Sequence, residues 1–230
     1  NFHPKETFSS LLEEIANLNG DFRVRLSSIN PMEIDEHLIE LIAHHEKICP
    51  HLHIPLQSGD TEILSKMRRN YNAKQYEHVV RRAADKISPL GLGADIIVGF
   101  PGESEESFER TRKLVEELPF SYLHVFSYSP RSGTEAHSFR NNIKNITKKE
   151  RNLTLSNLAK EKAYTFHKSF IGKKVTVLAE KRKQTNGVLR GHSEHFIPIR
   201  IDAEDSLQNR LLPVVIKEIK KDGLVGHLEQ

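Results

Sequence analysis

The chain has one cysteine, Cys49, among 230 residues. A single thiol excludes an internal disulfide and any iron–sulfur cluster held by several cysteines within these residues. Its scarcity fits a cytoplasmic setting. No apolar run reaches the length of a membrane span, which predicts a soluble chain without a membrane partner. No basic-plus-apolar leader opens the sequence, so nothing directs export. The chain starts at Asn1 rather than Met, as a cut N-terminus would. Internal repeats and low-complexity tracts are also missing. What is present suffices for a core: 37% of residues are hydrophobic. The length suits one large domain, or one medium domain plus one small.

The net charge of +3 is unevenly spread. Arg140 to Arg190 holds 14 Lys/Arg and 3 Asp/Glu, a local balance of +11 that leaves −8 for the rest. Segregated positive charge is the footprint of a polyanionic partner, or else a solvated helix face.

The first 130 residues alternate between two periodicities. Phe22–Ser28, Leu52–Leu56, Ala94–Val98 and Tyr122–Tyr128 read as strands, each running into a turn. Thr7–Leu18, Pro31–His45, Thr61–Arg69, Ala73–Ile87 and Ser104–Leu118 carry helical spacing. Periods of 2 and 3.6 in turn predict βα units on a parallel sheet. Four strands are too few to close an eight-stranded barrel, so a partial (βα) barrel is expected over residues 1–143. Residues 144–168 read as a polar, lysine-rich linker helix, with sparse apolar positions at Leu153, Leu158 and Phe166. From 169 to 230 five short strands follow: Val175–Ala179, Gly187–Leu189, Phe196–Ile201, Leu212–Ile216 and Gly223–His227. They predict a small all-β barrel of the oligonucleotide-binding size class. The fold class is therefore α/β, with an appended OB-like barrel.

In a βα barrel the loops after the strands build the active site. Four strand ends are rich in polar residues and glycine: Arg25–Ser28, His51–Gly59, Asp95–Glu103 and Phe126–Thr134. Together with Met67–Tyr71 they read LHIPLQSG, MRRNY, DIIVGFPGE and FSYSPRSGT in order. In these segments the chain resembles the radical-SAM methylthiotransferases along essentially its whole length, and its all-β tail is similar to the family's TRAM domain. The variants RLSS, HLHIPLQ and MRR lean toward the bacterial MtaB branch, which acts on N6-threonylcarbamoyladenosine beside the tRNA anticodon. The alternative is the MiaB branch, which acts on N6-isopentenyladenosine.

The resemblance implies S-adenosylmethionine, two [4Fe–4S] clusters in the full-length protein, and tRNA as partner. The family's CxxxCxxC loop and N-terminal domain have no counterpart here, so this chain alone is expected to be inactive, with cluster ligands absent and no catalytic residue assigned. Arg25 is a candidate to clamp a carboxylate, or to pair within the barrel wall. Ser27 is a candidate for ribose or carboxylate. Gln57 and Ser58 sit at a strand-to-helix junction facing the cofactor pocket or capping the next helix. Asp95 orients polar groups inside the barrel or makes a structural bond. Gly99 and Pro101 let the backbone approach an adenine edge, or form a tight turn before Ser104.

His51 and His53 point to one face of a strand. No third ligand at suitable spacing is visible, so no metal site is assigned. Cys49 reads as a small buried filler. Tyr128 and Arg131 are candidates to stack on or bond a nucleobase. In the tail, Lys173, Lys174, Lys181, Arg182, Lys183 and Arg190 form the RNA-facing charge, with Phe196, His192 and His195 available to stack, or Phe196 simply buried. Two other classes stand beside the enzyme fragment: a non-catalytic RNA-binding module, and a metal-free βα-barrel enzyme, for which no acid–base pair is visible.

Overall fold

The structure is a computed structural model that describes residues 7–139, 143–180 and 188–229. Helix α1 (Phe8–Ala16) is opened by Thr7, whose side chain accepts the Ser10 N–H. The helical pattern over Pro31–His45 divides in two. Pro31–Glu33 forms a 3-10 turn, and Asp35 then caps α2 (Glu36–His44) by accepting the Leu38 N–H. Proline suits the first position of a helical turn, and a carboxylate satisfies the orphan donors of the next. Helices α3 (Thr61–Lys66), α4 (Ala73–Lys86) and α5 (Glu105–Glu117) follow, capped by Asp60, Asn72 and Ser104.

Strands β1 (His51–His53), β2 (Gly91–Val98) and β3 (Tyr122–Ser127) form a parallel sheet in that order. The fourth expected strand, Phe22–Ser28, is not a full strand. It lies extended along β1, held by isolated parallel bridges at Val24–Ile48 and Ser28–His53. Between these bridges the His51 N–H, next in line after the Cys49 N–H that bonds the Val24 carbonyl, turns back to the Cys49 carbonyl at 2.7 Å, so the ladder is interrupted. β1 is also shorter than the apolar run Leu52–Leu56. Pairing stops near Pro55 and resumes only at Gln57, which bridges Ile96. One face of β2 carries Leu92, Ala94, Ile96 and Val98 into the core with Tyr76, Val80, Leu114 and Val115.

Helix α6 (Asn145–Lys168) lies against β3. Of the expected apolar positions Leu158 and Phe166 pack against the two cores and Leu153 is exposed, while Lys148, Arg151, Leu155 and Ala159 complete the buried face. Arg151 Nη1 donates to the Glu103 carboxylate at 2.7 Å and to the Glu103 carbonyl at 3.0 Å. Lys148 Nζ donates to the Tyr128 carbonyl at 3.1 Å. Lys162 Nζ donates to the Glu116 and Leu118 carbonyls, both at 2.7 Å, satisfying the end of α5. Three cations of the basic run are therefore turned onto the protein itself.

Strands β4 (Lys174–Glu180), β5 (Val188–Ser193), β6 (Pro198–Asp202), β7 (Leu211–Lys220) and β8 (Gly223–Leu228) close into a barrel ordered β4-β5-β6-β8-β7. β6 and β8 pair parallel and every other pair is antiparallel. The barrel is filled by Val175, Val177, Leu189, Ile199, Ile201, Val214, Ile216 and Leu224, with Phe170 from the turn after α6. No helix among the described residues is long and apolar enough to cross a membrane.

Candidate active-site cavity

Alternation along the sheet turns polar and aromatic side chains to the face opposite the helices. His51 and His53 come from β1, Asp95 from β2, and Tyr122, His124 and Phe126 from β3. They line a cavity of about 480 Å³ with Arg25, Ser27, Ser28 and, from the small barrel, Phe196. Tyr122 lies over Gly93, where an added Cβ would come within 2.3 Å of its hydroxyl. That hydroxyl is 3.0 Å from both His51 Nε2 and His53 Nδ1. His53 Nε2 lies 3.2 Å from one Asp95 oxygen, and His124 Nδ1 lies 3.1 Å from the other. Burial, then the charge of Arg25, pushes His51 down to about 3, so it stays neutral. Burial, then the Asp95 charge, pushes Tyr122 up to about 12. The network at neutral pH thus holds an uncharged imidazole and an intact phenol.

The small barrel closes one side of this cavity. The Ser193 hydroxyl accepts the N–H groups of His195 and Ile197, both at 3.2 Å, and Phe196 adopts φ 65° between them. This turn projects the Phe196 ring to 4.7 Å from the Arg25 guanidinium and 5.1 Å from the His51 ring. His192 stacks on it at 4.9 Å. Arg25 Nη2 donates to the Ser193 carbonyl at 2.9 Å. At Gly91 an added Cβ would lie 2.3 Å from the His195 carbonyl oxygen, so the seat of the barrel needs glycine there. His195 is buried, and burial pushes it down to about 4.

The residues expected to meet a cofactor separate into two groups. Ser27 is exposed on the cavity wall and Asp95 faces in. Gln57 has φ 66°, and its backbone pairs with Asp95 and Ile97 while its amide side chain bonds to none of the described residues. Arg25 lines the cavity but is held by the small barrel rather than paired within the wall. Ser58 is fully buried, bonded to Thr111 and to the Asp60 N–H, so it faces the packing with α5. Gly99 has φ 72° and gives its N–H to Glu103 at 2.7 Å; the Lys148 side chain fills the space beside it. Pro101 is buried in the same turn.

On the RNA side, the Tyr128 ring packs edge-on against Phe100 and its hydroxyl is buried without a partner among the described residues. Arg131, Lys173 and Lys174 are exposed, and Lys174 pairs with Glu229 at 2.5 Å. Arg190 is half-buried. Lys181, Arg182 and Lys183 lie outside the described residues. Sequence reasoning did not assign Tyr122, His124 and Phe126. Their i, i+2, i+4 spacing was the available signal, since it places three ring side chains on one strand face.

Residues 4–115 match the radical SAM superfamily. This segment is a radical SAM domain. Its fold is shared with coproporphyrinogen III oxidase (HemN) from Escherichia coli, at TM-score 0.55 and 18% identity over 69% of this chain and 38% of that one. Homologues of MtaB and MiaB type cover both the radical SAM domain and the small barrel. The Thermotoga maritima threonylcarbamoyladenosine tRNA methylthiotransferase MtaB is 38% identical over 96% of this chain and 50% of its own length. The Wolinella succinogenes tRNA-2-methylthio-N(6)-dimethylallyladenosine synthase is 37% identical over 97% of this chain and 52% of its own length. The chain spans about half the length of the curated relatives it matches.

A radical SAM domain implies S-adenosylmethionine and a [4Fe–4S] cluster. The cluster does not fit the residues present: Cys49 is the sole thiol in the sequence, it is buried, and burial raises its pKa, which disfavours the thiolate that iron binds. S-adenosylmethionine fits better, because the exposed Ser27 and Ser28 hydroxyls line the cavity beside the apolar surface of Phe126 and Phe196.

Proposed function

We propose that this chain is part of a tRNA methylthiotransferase that adds a 2-methylthio group to N6-threonylcarbamoyladenosine next to the anticodon. The observation that carries this reading is 38% identity to the Thermotoga maritima enzyme across 96% of the chain, through both the sheet and the small barrel. Two [4Fe–4S] clusters are then held by residues outside these 230, the chain alone is inactive, and the protein works in the cytoplasm. The small barrel serves as a TRAM-like, OB-like RNA-binding domain over residues 169–230, following the partial barrel of 1–143 and the linker helix of 144–168.

Ser27 and Gln57 are the residues that hold S-adenosylmethionine, while Asp95 orients polar groups inside the barrel. When bound, it supplies the radical and methyl chemistry. The chain's own part is positioning and exclusion. Phe126 and Phe196 border the cavity with apolar surface, which limits water. Neutral His51 and the Tyr122 phenol add hydrogen bonds without adding charge. Lys173, Arg190 and the 181–183 cluster meet tRNA phosphates, while Tyr128 and Arg131 stack on or bond a nucleobase. A second reading, modification of N6-isopentenyladenosine, is supported by 37% identity to the Wolinella succinogenes enzyme.

The test is to express the longer protein that contains this chain in a bacterial strain lacking 2-methylthio modification, then read the tRNA nucleosides by mass. The 2-methylthio derivative of threonylcarbamoyladenosine is the expected product. The isopentenyl derivative establishes the second reading. Unmodified tRNA, with tRNA binding retained, leaves a non-catalytic RNA-binding module.

A further inference from the structure

Three adjacent parallel strands each send one nitrogen or oxygen donor toward a common point beside the cavity. His53 comes from β1, Asp95 from β2 and His124 from β3, and Asp95 and His124 are register partners. Asp95 Oδ2 is 3.2 Å from His53 Nε2, and Asp95 Oδ1 is 3.1 Å from His124 Nδ1. One ligand atom from each residue lies within 4.8 Å of the other two. Donors bound about 2.0–2.1 Å from a tetrahedral ion sit about 3.3 Å apart, and each imidazole already stands near that spacing from Asp95, one at each carboxylate oxygen. An ion between them requires the two imidazoles to draw in by about 1 Å onto one point, and the His124 side chain, 54% exposed, borders solvent on one side.

The surroundings favour an ion over a plain hydrogen-bond chain. His53 Nδ1 meets the Tyr122 hydroxyl at 3.0 Å, which fixes the ring with Nε2 aimed at Asp95. Ligating histidines hold their second nitrogen in this way. Among the described residues no lysine or arginine pairs with Asp95, so its charge is opposed only by imidazoles. The cavity on the same face leaves room for an open coordination position.

We propose that His53, Asp95 and His124 bind one divalent transition-metal ion of the zinc type, with a position open to the cavity. Two imidazoles and one carboxylate select borderline ions such as zinc or cobalt over calcium and magnesium, which prefer all-oxygen sites. The site uses no thiolate. It does not depend on the methylthiotransferase reading. Its ligands come from three strands, which is why no spacing within a single segment announced it.

Cobalt(II) is the probe, added to the metal-stripped chain carrying no histidine tag. Visible absorption should report a single cobalt per chain, displaced by zinc, and zinc should raise the melting midpoint. His124→Asn should abolish the bands while circular dichroism stays unchanged, since the side chain is mostly exposed. Tyr122→Phe keeps all three ligands and should weaken affinity about 10–100-fold through loss of the outer-shell bond. Cys49→Ser should leave the spectrum as it is. Absence of cobalt binding by the parent chain overturns the proposal. So does binding that survives both His124→Asn and Asp95→Asn at parental strength.

Discussion

Replacing Arg151 with methionine should loosen helix α6 from the turn after β2 and from the start of α5. Arg151 is 6% exposed and Glu103 1% exposed, so their ion pair is effectively out of water. The guanidinium also reaches the Glu103 carbonyl at 3.0 Å, the exposed Glu105 carboxylate at 3.0 Å, and the Phe108 ring at 5.1 Å. The Glu105 contact is solvent-screened and contributes little. The Glu103 contact is decisive. Without Arg151 the buried carboxylate keeps only the Gly99 N–H, and Glu103 Oε1 already has no partner among the described residues. Breaking a buried pair from one side costs about 3–5 kcal/mol. For a chain of this size that lowers the melting midpoint by about 6–20 °C.

The loss should depend on pH, and its sign is set by Glu103. Burial raises this carboxyl above its ordinary value, with the Gly99 N–H and Arg151 opposing. A raised folded-state pKa means the folded protein keeps a proton that the unfolded chain has released. Stability therefore falls as pH climbs from the ordinary carboxyl range through the raised value. Removing Arg151 lifts that value further, so Arg151→Met should be hurt less at about pH 5 than at about pH 8. The double variant Glu103→Gln, Arg151→Met should recover part of the loss. Urea unfolding of the four proteins at both pH values measures all of this. A loss below about 1 kcal/mol, or one equal at the two pH values, would refute a buried clamp.

Gly99→Ala should destabilise by about 1–3 kcal/mol in thermal melts, because φ is 72° and the new Cβ would lie 2.4 Å from Lys148 Cγ. Reversing Lys181, Arg182 and Lys183 to glutamate should weaken binding to many tRNAs alike, and each lost phosphate contact should reduce the salt slope by about 0.9 in filter-binding titrations; parental binding would mean that this charge is only solvated surface. Phe196→Ala should split thermal unfolding into two transitions by differential scanning calorimetry, since the ring joins the small barrel to Arg25 and His51. Reconstitution of this chain with iron and sulfide should leave no stoichiometric acid-labile sulfide, because Cys49 is its one thiol.

Local signals carried much of the architecture. The helix over Ala73–Lys86 was legible from its spacing, and in the structure Asn72 and Gln75 close its start as a capping box. The five short strands of the closed barrel were legible from alternation and polar turns. The strand at Phe22–Ser28 was misread because strand propensity says nothing about whether the neighbour will donate, and there the His51 N–H turns back to the Cys49 carbonyl. The basic run was misread in part for a related reason. Charge along a sequence does not reveal direction, and Lys148, Arg151 and Lys162 satisfy carbonyls and a carboxylate of the chain itself. The cavity was the least legible feature. The motifs drew attention to strand ends, whereas His53, Asp95, Tyr122 and His124 meet across strands through pairings that no single segment encodes.

The notch at Gly91 bears on how freely such proteins can exchange parts. The small barrel rests on the sheet through the backbone of His195 and the left-handed Phe196, against a strand that must lack a side chain at one position. A barrel transplanted from a distant relative would seat only if its own turn offered a bare carbonyl at the same height. A host sheet with alanine in place of Gly91 would reject even the native barrel. Compatibility between the two halves is thus written in one missing methyl group, and chimeras should be designed by matching that turn before any surface charge is considered.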